Sequence, residues 1–384
     1  MLVGTLITPP VVLSGFLLAI LGALALRPAI HLIPGFWWFL AYGAWQILSA
    51  AYSWMAHDGA HIEKASSYYN WISYLLAAAI LTDPVWRRFA ITALYCTLIV
   101  SVLFALAEFF IGRGENVFRI SYTGLRFTPS RGLAPHYITF GFSMAMVMTI
   151  ASSPPMLYGL RGWTNWLARI LSMLGWVLSS ARGAIAGGVA GISTIFALTR
   201  SSWKIKILIL FALISSSLFV INLSRPARLS MMVSGHEERL SIWHVSAHML
   251  MSSPWFGTGS RAEFESQYEK IFKELMSNPK AEDQATAFDA HNTFLAIACQ
   301  YGLPALLFYV SGLISILLYA FRMRHERQSA FALTVAIVVC SSVCGMSESL
   351  ATHTVTSYGI FLPLGLALGC LNQKEGESGS PVEK

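Results

Sequence analysis

Charge is scarce in this chain. Lys, Arg, Asp and Glu together make up 12% of its 384 residues, about half the share found in soluble globular proteins. Acids are the scarcer sign, 19 against 26 Lys and Arg, for a formal net charge of +7. Hydrophobic residues reach 55%. The length would allow two or three soluble domains, but so little charge excludes them. The same composition excludes disorder and a collagen-like chain. Cysteine is also scarce. Cys96, Cys299, Cys340, Cys344 and Cys370 lie within or at the end of apolar runs, so neither a disulfide framework nor a zinc knuckle is read from them. Cys340 and Cys344, four residues apart, read as packing thiols. The N-terminus has no basic stretch before its first apolar run, where Arg27 is the first arginine. That pattern predicts an uncleaved first span instead of a signal peptide. No Walker A, G-x-S-x-G or Rossmann pattern stands in its required context.

What the chain does have is a series of apolar runs of membrane-spanning length. They fall at residues 6–26, 33–54, 66–81, 86–111, 135–151, 163–180, 184–199, 203–223, 291–321, 329–346 and 355–371. The fold expected is an all-α polytopic integral membrane protein with about 11–12 transmembrane helices and one large periplasmic helical loop. Arg87 and Arg88, then Arg200, Lys204 and Lys206, then Arg322, Arg324 and Arg327 mark three short loops. Alternate counting puts all three on one side, which is therefore cytoplasmic. In a soluble protein a net charge of +7 would suggest nucleic acid. Membrane topology accounts for these loops without that partner, and no nucleic acid is expected. Four parts follow: transmembrane helices over 1–223 with a basic outer loop at 112–134, the large loop at 224–290, further transmembrane helices over 291–371, and a Gly/Ser/Glu-rich cytoplasmic tail at 372–384. Within the large loop, 236–253 and 264–276 carry helical spacing. Leu240, Trp243, Ala247 and Leu250 share one stripe, and Phe264, Tyr268, Ile271, Phe272 and Leu275 another.

Four groups could carry chemistry, all on the outer side. Ser180-Ala181-Arg182-Gly183 puts a guanidinium at the membrane edge among small residues, either as an anion ligand or as a snorkelling side chain. Arg239 heads the first loop helix, ahead of Trp243, His244 and His248. It could clamp a phosphate bidentately or pair with a neighbouring glutamate. His244 and His248 lack the glutamate that a zincin helix needs, since Val245 stands there. His291, after Asp289 and before Asn292, sits where a polar loop enters an apolar helix. It could take a proton from a sugar hydroxyl, with Asp289 or Asn292 fixing its tautomer, or it could simply cap the helix. The loop with Arg113, Arg119, Arg126 and Arg131 against a single Glu115 suits phosphate and sugar or anionic lipid head groups. Intramembrane acids are few. Glu108 and Glu348 lie near span ends on the outer side, and Arg169 lies inside a span. A proton-coupled transporter calls for more acids at mid-membrane depth.

Three of these pieces, taken in order, resemble the O-antigen ligase family of membrane glycosyltransferases. They are Ser180-Ala181-Arg182-Gly183, with Ala181 intervening in the Ser-Arg-Gly signature; Arg239…Trp243…Pro254…Gly257-Thr258-Gly259; and His291-Asn292 followed after nine residues by Gly302. Ala305 stands where the ligase pattern often has Gly, Thr or Tyr. The resemblance implies an undecaprenyl-pyrophosphate-linked O-antigen donor, a lipid A–core acceptor, contact with membrane lipids, and no cofactor or metal. It implies catalysis by His291, Arg182 and Arg239, and substrate binding by Arg131, Arg126, Asn292 and Trp243. A polymerase of the same family, a protein O-oligosaccharyltransferase and a membrane transporter are the other readings.

Overall fold

The computed structural model describes residues 32–56, 70–111, 118–121, 124–127, 130–134, 136–199, 238–259, 261–275, 290–352 and 354–372. The expected spans at 6–26 and 203–223, the tail at 373–384 and Asp289 lie outside them. Eleven α-helices are described: α1 Phe36–Ala56, α2 Ile72–Ile80, α3 Pro84–Ile111, α4 Tyr137–Ser152, α5 Gly162–Ser179, α6 Arg182–Leu198, α7 Glu238–Ser252, α8 Arg261–Leu275, α9 Thr293–Arg322, α10 Gln328–Gly345 and α11 Thr354–Leu371. Between α3 and α4, inside the segment expected as a loop, stands a small hairpin of β1 Phe118–Ser121 and β2 Gly124–Phe127. The regular structure among the described residues is otherwise helical, in keeping with the all-α expectation.

Three helices, Pro84–Phe110, Thr293–Arg322 and Gln328–Gly345, are long and apolar enough to cross a membrane. Their outward faces are apolar. Trp86, Phe89, Leu103, Phe104 and Phe110 on α3, and Leu303, Leu307, Ile314 and Leu318 on α9, are all exposed. Water would not tolerate surfaces of this extent, and lipid does. The fold is that of a multi-pass membrane protein.

Helix α10 is central and packs on α6, α11, α9 and α4. Small residues let α6 come close to it. A Cβ on Gly183, Gly187 or Gly191 would collide with Ser347, Cys344 or Cys340 and Thr149 respectively. These glycines recur every four residues, the small-residue seam that lets membrane helices pack closely. Cys340 and Cys344 are accordingly buried packing residues.

Helix pairing fixes which loops share an end. The end of α6 meets the start of α10, where Gln328 donates to the Leu198 carbonyl. The end of α11 meets the far half of α9, where Tyr319 donates to Asn372. Arg87, Arg88, Arg322, Arg324 and Arg327 therefore gather at one end of the bundle, in keeping with the expected topology. Arg169 proves to be part of the scaffold. Its Nε donates to the Ala151 carbonyl (2.8 Å), beside Asn165, which donates to the Ala151 and Ser153 carbonyls. Together they satisfy the open carbonyls at the end of α4.

The expected loop helices are present as α7 and α8. On α8 the predicted face holds, with Phe264, Tyr268 and Phe272 buried in a stacked column. On α7 the buried residues are Val245, Ser246 and Met249, while Trp243 and Ala247 are half-buried. The buried stripe is thus rotated from the predicted one, because it must meet both α8 and the start of α9, where Cys299 donates to the Ser246 carbonyl.

Candidate functional site

The expected span at 291–321 is interrupted. Gly302, inside α9, has φ 84° and ψ 169°, and divides the helix into a short first segment and a long second one. The turn after α7 fits into this break. Leu303 N donates to the Pro254 carbonyl (2.8 Å), Thr258 N to Cys299 (2.9 Å) and Gly259 N to Gln300 (2.6 Å). A Cβ on Gly302 would collide with the Trp255 carbonyl, and one on Gly257 with the Cys299 carbonyl. Helix α1 holds the joint from the other side. Trp45 Nε1 donates to the Tyr301 carbonyl (3.0 Å) and, at 3.3 Å, to Trp255. Its ring stacks on Phe256. Ser49 donates to the Phe256 carbonyl and Ser53 to Thr258 (2.7 Å). The glycines of the Pro…Gly-x-Gly and His-Asn-x₉-Gly pieces are therefore joinery: they seat one loop in a broken helix.

The start of α9 is stitched to the turn after α10. Asn292 caps α9, its Oδ1 accepting from Phe294 N (3.0 Å) and Leu295 N (3.1 Å). Its own N–H donates to Ser349 Oγ (3.2 Å), and its Nδ2 donates to the Met346 carbonyl (3.5 Å). Thr293 Oγ1 donates to the Glu348 carbonyl (2.7 Å) and accepts from Leu350 N (2.8 Å). His291, one residue before the cap, has φ 45°, an unusual backbone for a side chain with a Cβ. Its Nδ1 lies 3.5 Å from Glu348 Oε2, with the imidazole side chain 36% exposed and the carboxylate 15%. That is an ion-pair separation, long for a direct hydrogen bond.

Arg182 is the first residue of α6, preceded by Ser180 in the left-handed region at φ 50°. Its neighbour Gly183 lies directly under the Ser347 side chain. Ser347 precedes Glu348, so the start of α6 abuts the turn that holds the His291–Glu348 pair. Ser130 N donates to the Leu178 carbonyl (2.8 Å), which brings the root of the basic hairpin to the end of α5 and the same corner. Arg131 is tied to Glu108: its N–H donates to Oε2 (2.8 Å), Gly132 N also donates there (3.2 Å), and its Nε lies 3.6 Å from Oε1.

The structure thus gathers His291, Asn292 and Arg182 at one corner, with Arg131 at its edge. Asn292 spends its amide on capping, which makes it a residue that positions His291. Arg126 lies in β2 opposite Arg119. Arg239 is the second residue of α7, and Trp243 lies one turn further along. His244 and His248 are exposed on α7. Burial pushes the Tyr268 hydroxyl on α8 up to about 12, which keeps it protonated. Sequence reasoning missed the part played by Glu348. It offered Asp289 or Asn292 as partners for His291, although both of the acids it noted near span ends, Glu108 and Glu348, turn out to hold a basic group of the site. Their rarity was the available signal.

Fold and corner together define a multi-pass membrane protein with a polar site at one end of its bundle. Residues 167–310, from within α5 to within α9, match the family model described as O-antigen ligase. That match supports the O-antigen ligase family for this chain. It takes in Arg182, Arg239, His291 and Gly302, and ends before Glu348. None of the curated proteins matches the chain.

Proposed function

We propose that this protein is an O-antigen ligase of a Gram-negative inner membrane, transferring a glycan from undecaprenyl pyrophosphate to lipid A–core at a periplasmic site. The observation that carries the reading is the His291–Glu348 pair beside Arg182 at the end of the bundle away from the Arg322–Arg327 loop. The bond energy needed is already in the donor's pyrophosphate linkage, so transfer needs no ATP. Two tasks remain for the protein: to take a proton from the acceptor hydroxyl and to hold the charge that develops on the leaving pyrophosphate.

His291 takes the proton. With Nδ1 turned to Glu348, the tautomer donating from Nδ1 leaves Nε2 as the basic atom. Glu348 then stabilises the imidazolium as it forms. Asn292, Thr293 and Ser349 keep the pair in place through the cap and its stitching. Arg182 and Arg239 hold the departing diphosphate as electrostatic clamps, a task that needs no metal. Arg131, Arg126 and Trp243 bind the donor and its glycan. Attack opposite the leaving group inverts the anomeric carbon.

The test is a lipopolysaccharide gel from a deletion strain complemented with wild type or His291→Ala. The expected result is bare lipid A–core with accumulated lipid-linked polymer in the deletion, restored by wild type and not by His291→Ala. Core bearing a single repeat unit would instead assign a polymerase. An unchanged ladder would overturn both and favour the transporter reading.

A further inference from the structure

The last turns of α3 and α5 reach the edge of the His291 corner, since Glu108 of α3 holds Arg131 and the Leu178 carbonyl of α5 accepts from Ser130 N. The starts of both helices therefore lie at the opposite end of the bundle, the one read as cytoplasmic from its short basic loops. There α3 and α5 pack side by side, and Tyr95 donates to Asn165 Oδ1 (3.1 Å). Arg88, near the start of α3, and Arg161, directly before α5, are both exposed. A Cβ on Gly159 would touch the Arg88 Cδ at 3.9 Å, so the Arg88 stem runs along the turn that leads into Arg161. Neither guanidinium has an ion pair or a hydrogen bond among the described residues. The nearest acid in the sequence, Asp83, spends its carboxylate on the start of α3, where Oδ1 accepts from Val85 N (2.7 Å) and Trp86 N (3.3 Å). The surface beside the two arginines is apolar and aromatic. Trp86 and Phe89 on α3, Met156 in the turn at Pro155–Tyr158, and Trp163 and Trp166 on α5 are all exposed. Trp86 meets Phe89 edge-on at 6.3 Å, and Arg169 lies over the Trp166 ring at 4.9 Å. Exposed tryptophans at the end of a bundle sit at the headgroup level of a bilayer, where free guanidinium groups meet phosphate.

We propose that the turn between α4 and α5, together with the start of α3, binds an anionic phospholipid of the membrane leaflet at that end. Arg88 and Arg161 receive its phosphodiester, and its acyl chains lie along the exposed Trp86–Phe89 and Trp163–Trp166 faces. Planar guanidinium forks match phosphoryl oxygens in pairs. Charge complementarity selects the lipid, because two free cations favour a headgroup of net negative charge and repel the ammonium of a zwitterionic one. The loop after α9 at the same end is not equivalent. Arg322 and Arg324 share it with Glu326, and Arg324 donates to the Phe321 carbonyl (3.1 Å). The lipid site stands apart from the Arg182–His291 corner, and it holds whichever reaction that corner performs.

The test uses the full chain purified in maltoside detergent, with lipid retention read by native mass spectrometry. The probes are phosphatidylglycerol and phosphatidylcholine with the same acyl chains. R88Q/R161Q is compared with R322Q/R324Q, which removes the same charge at the same end of the bundle. Wild type is expected to retain phosphatidylglycerol in preference to phosphatidylcholine. R88Q/R161Q should weaken phosphatidylglycerol by about tenfold or more, the value of two basic side chains at a membrane surface. Its thermal unfolding midpoint should stay at the wild-type value, since both side chains are exposed and free. R322Q/R324Q should retain phosphatidylglycerol nearly as wild type does. Equal retention of the two lipids by wild type would overturn the proposal. So would equal retention of phosphatidylglycerol by wild type and R88Q/R161Q. An equal loss in R322Q/R324Q would also overturn it, because the attraction would then belong to the basic surface as a whole.

Discussion

Replacing Glu348 by Gln keeps the size of the side chain and removes the charge facing His291. The consequence follows from their separation of 3.5 Å. Opposite unit charges that far apart attract by about 1.2 kcal/mol in the dielectric of water and by about 4.7 kcal/mol at an effective dielectric of about 20. With 36% of the imidazole and 15% of the carboxylate exposed, solvent screening pulls the value toward the lower limit, to about 1–2 kcal/mol. That energy is realised only as the imidazolium forms, so it appears in kcat. E348Q should slow transfer about 5- to 30-fold at unchanged KM. E348D restores the charge on a shorter arm and should recover part of the rate. The assay is glycan transfer in membranes, normalised to the amount of folded protein. A wild-type rate for E348Q would refute the reasoning. So would a deficit in E348D as large as that in E348Q, because geometry and not charge would then be in control.

Three further predictions concern the frame. G302A should cost about 1–3 kcal/mol, since φ 84° with ψ 169° is a glycine conformation and the added Cβ meets the Trp255 carbonyl; a wild-type thermal unfolding midpoint in detergent would refute this. W45F keeps the stack on Phe256 but removes the donor to the Tyr301 carbonyl. It should cost about 1–2 kcal/mol in the same measurement, and no change would show that the indole N–H contributes nothing to the joint. G183A should impair transfer by pushing Ser347 away and disturbing Glu348, and S347G should restore it in the double variant, with a coupling of about 1 kcal/mol or more. Additive effects would break the proposed link between α6 and the turn after α10.

The matched segment 167–310 takes in Arg182, Arg239 and His291, yet neither it nor the motif order says why the glycines accompany them. Gly257, Gly259 and Gly302 are spread across 46 positions of the chain, and no linear pattern reveals that they meet. Each of the three has a positive φ, a turn conformation that glycine adopts readily. What they turn around, a loop seated in a broken helix, emerges only once α1, α7 and α9 are packed together.

The sequence alone determined the helical membrane character of this protein, because long apolar runs separated by short basic loops have few other solutions in water or lipid. It also located most helices, since apolar run length maps directly onto helix length, and it singled out Arg131, Arg182, Arg239 and His291 as candidates for chemistry. Tertiary structure decided the rest. Glu348 became the partner of His291, 57 residues away in the chain, because the turn after α10 is stitched to the cap of α9. Asn292 became that cap. Arg169, which looked anomalous inside an apolar run, closes the end of α4. The buried stripe of α7 rotated to meet two neighbours at once. In the basic loop, strand pairing set Arg119 against Arg126, a juxtaposition that charge counting could not foresee. Run length and charge act locally and can be read along the chain, whereas partner choice depends on which helix ends the packing brings together.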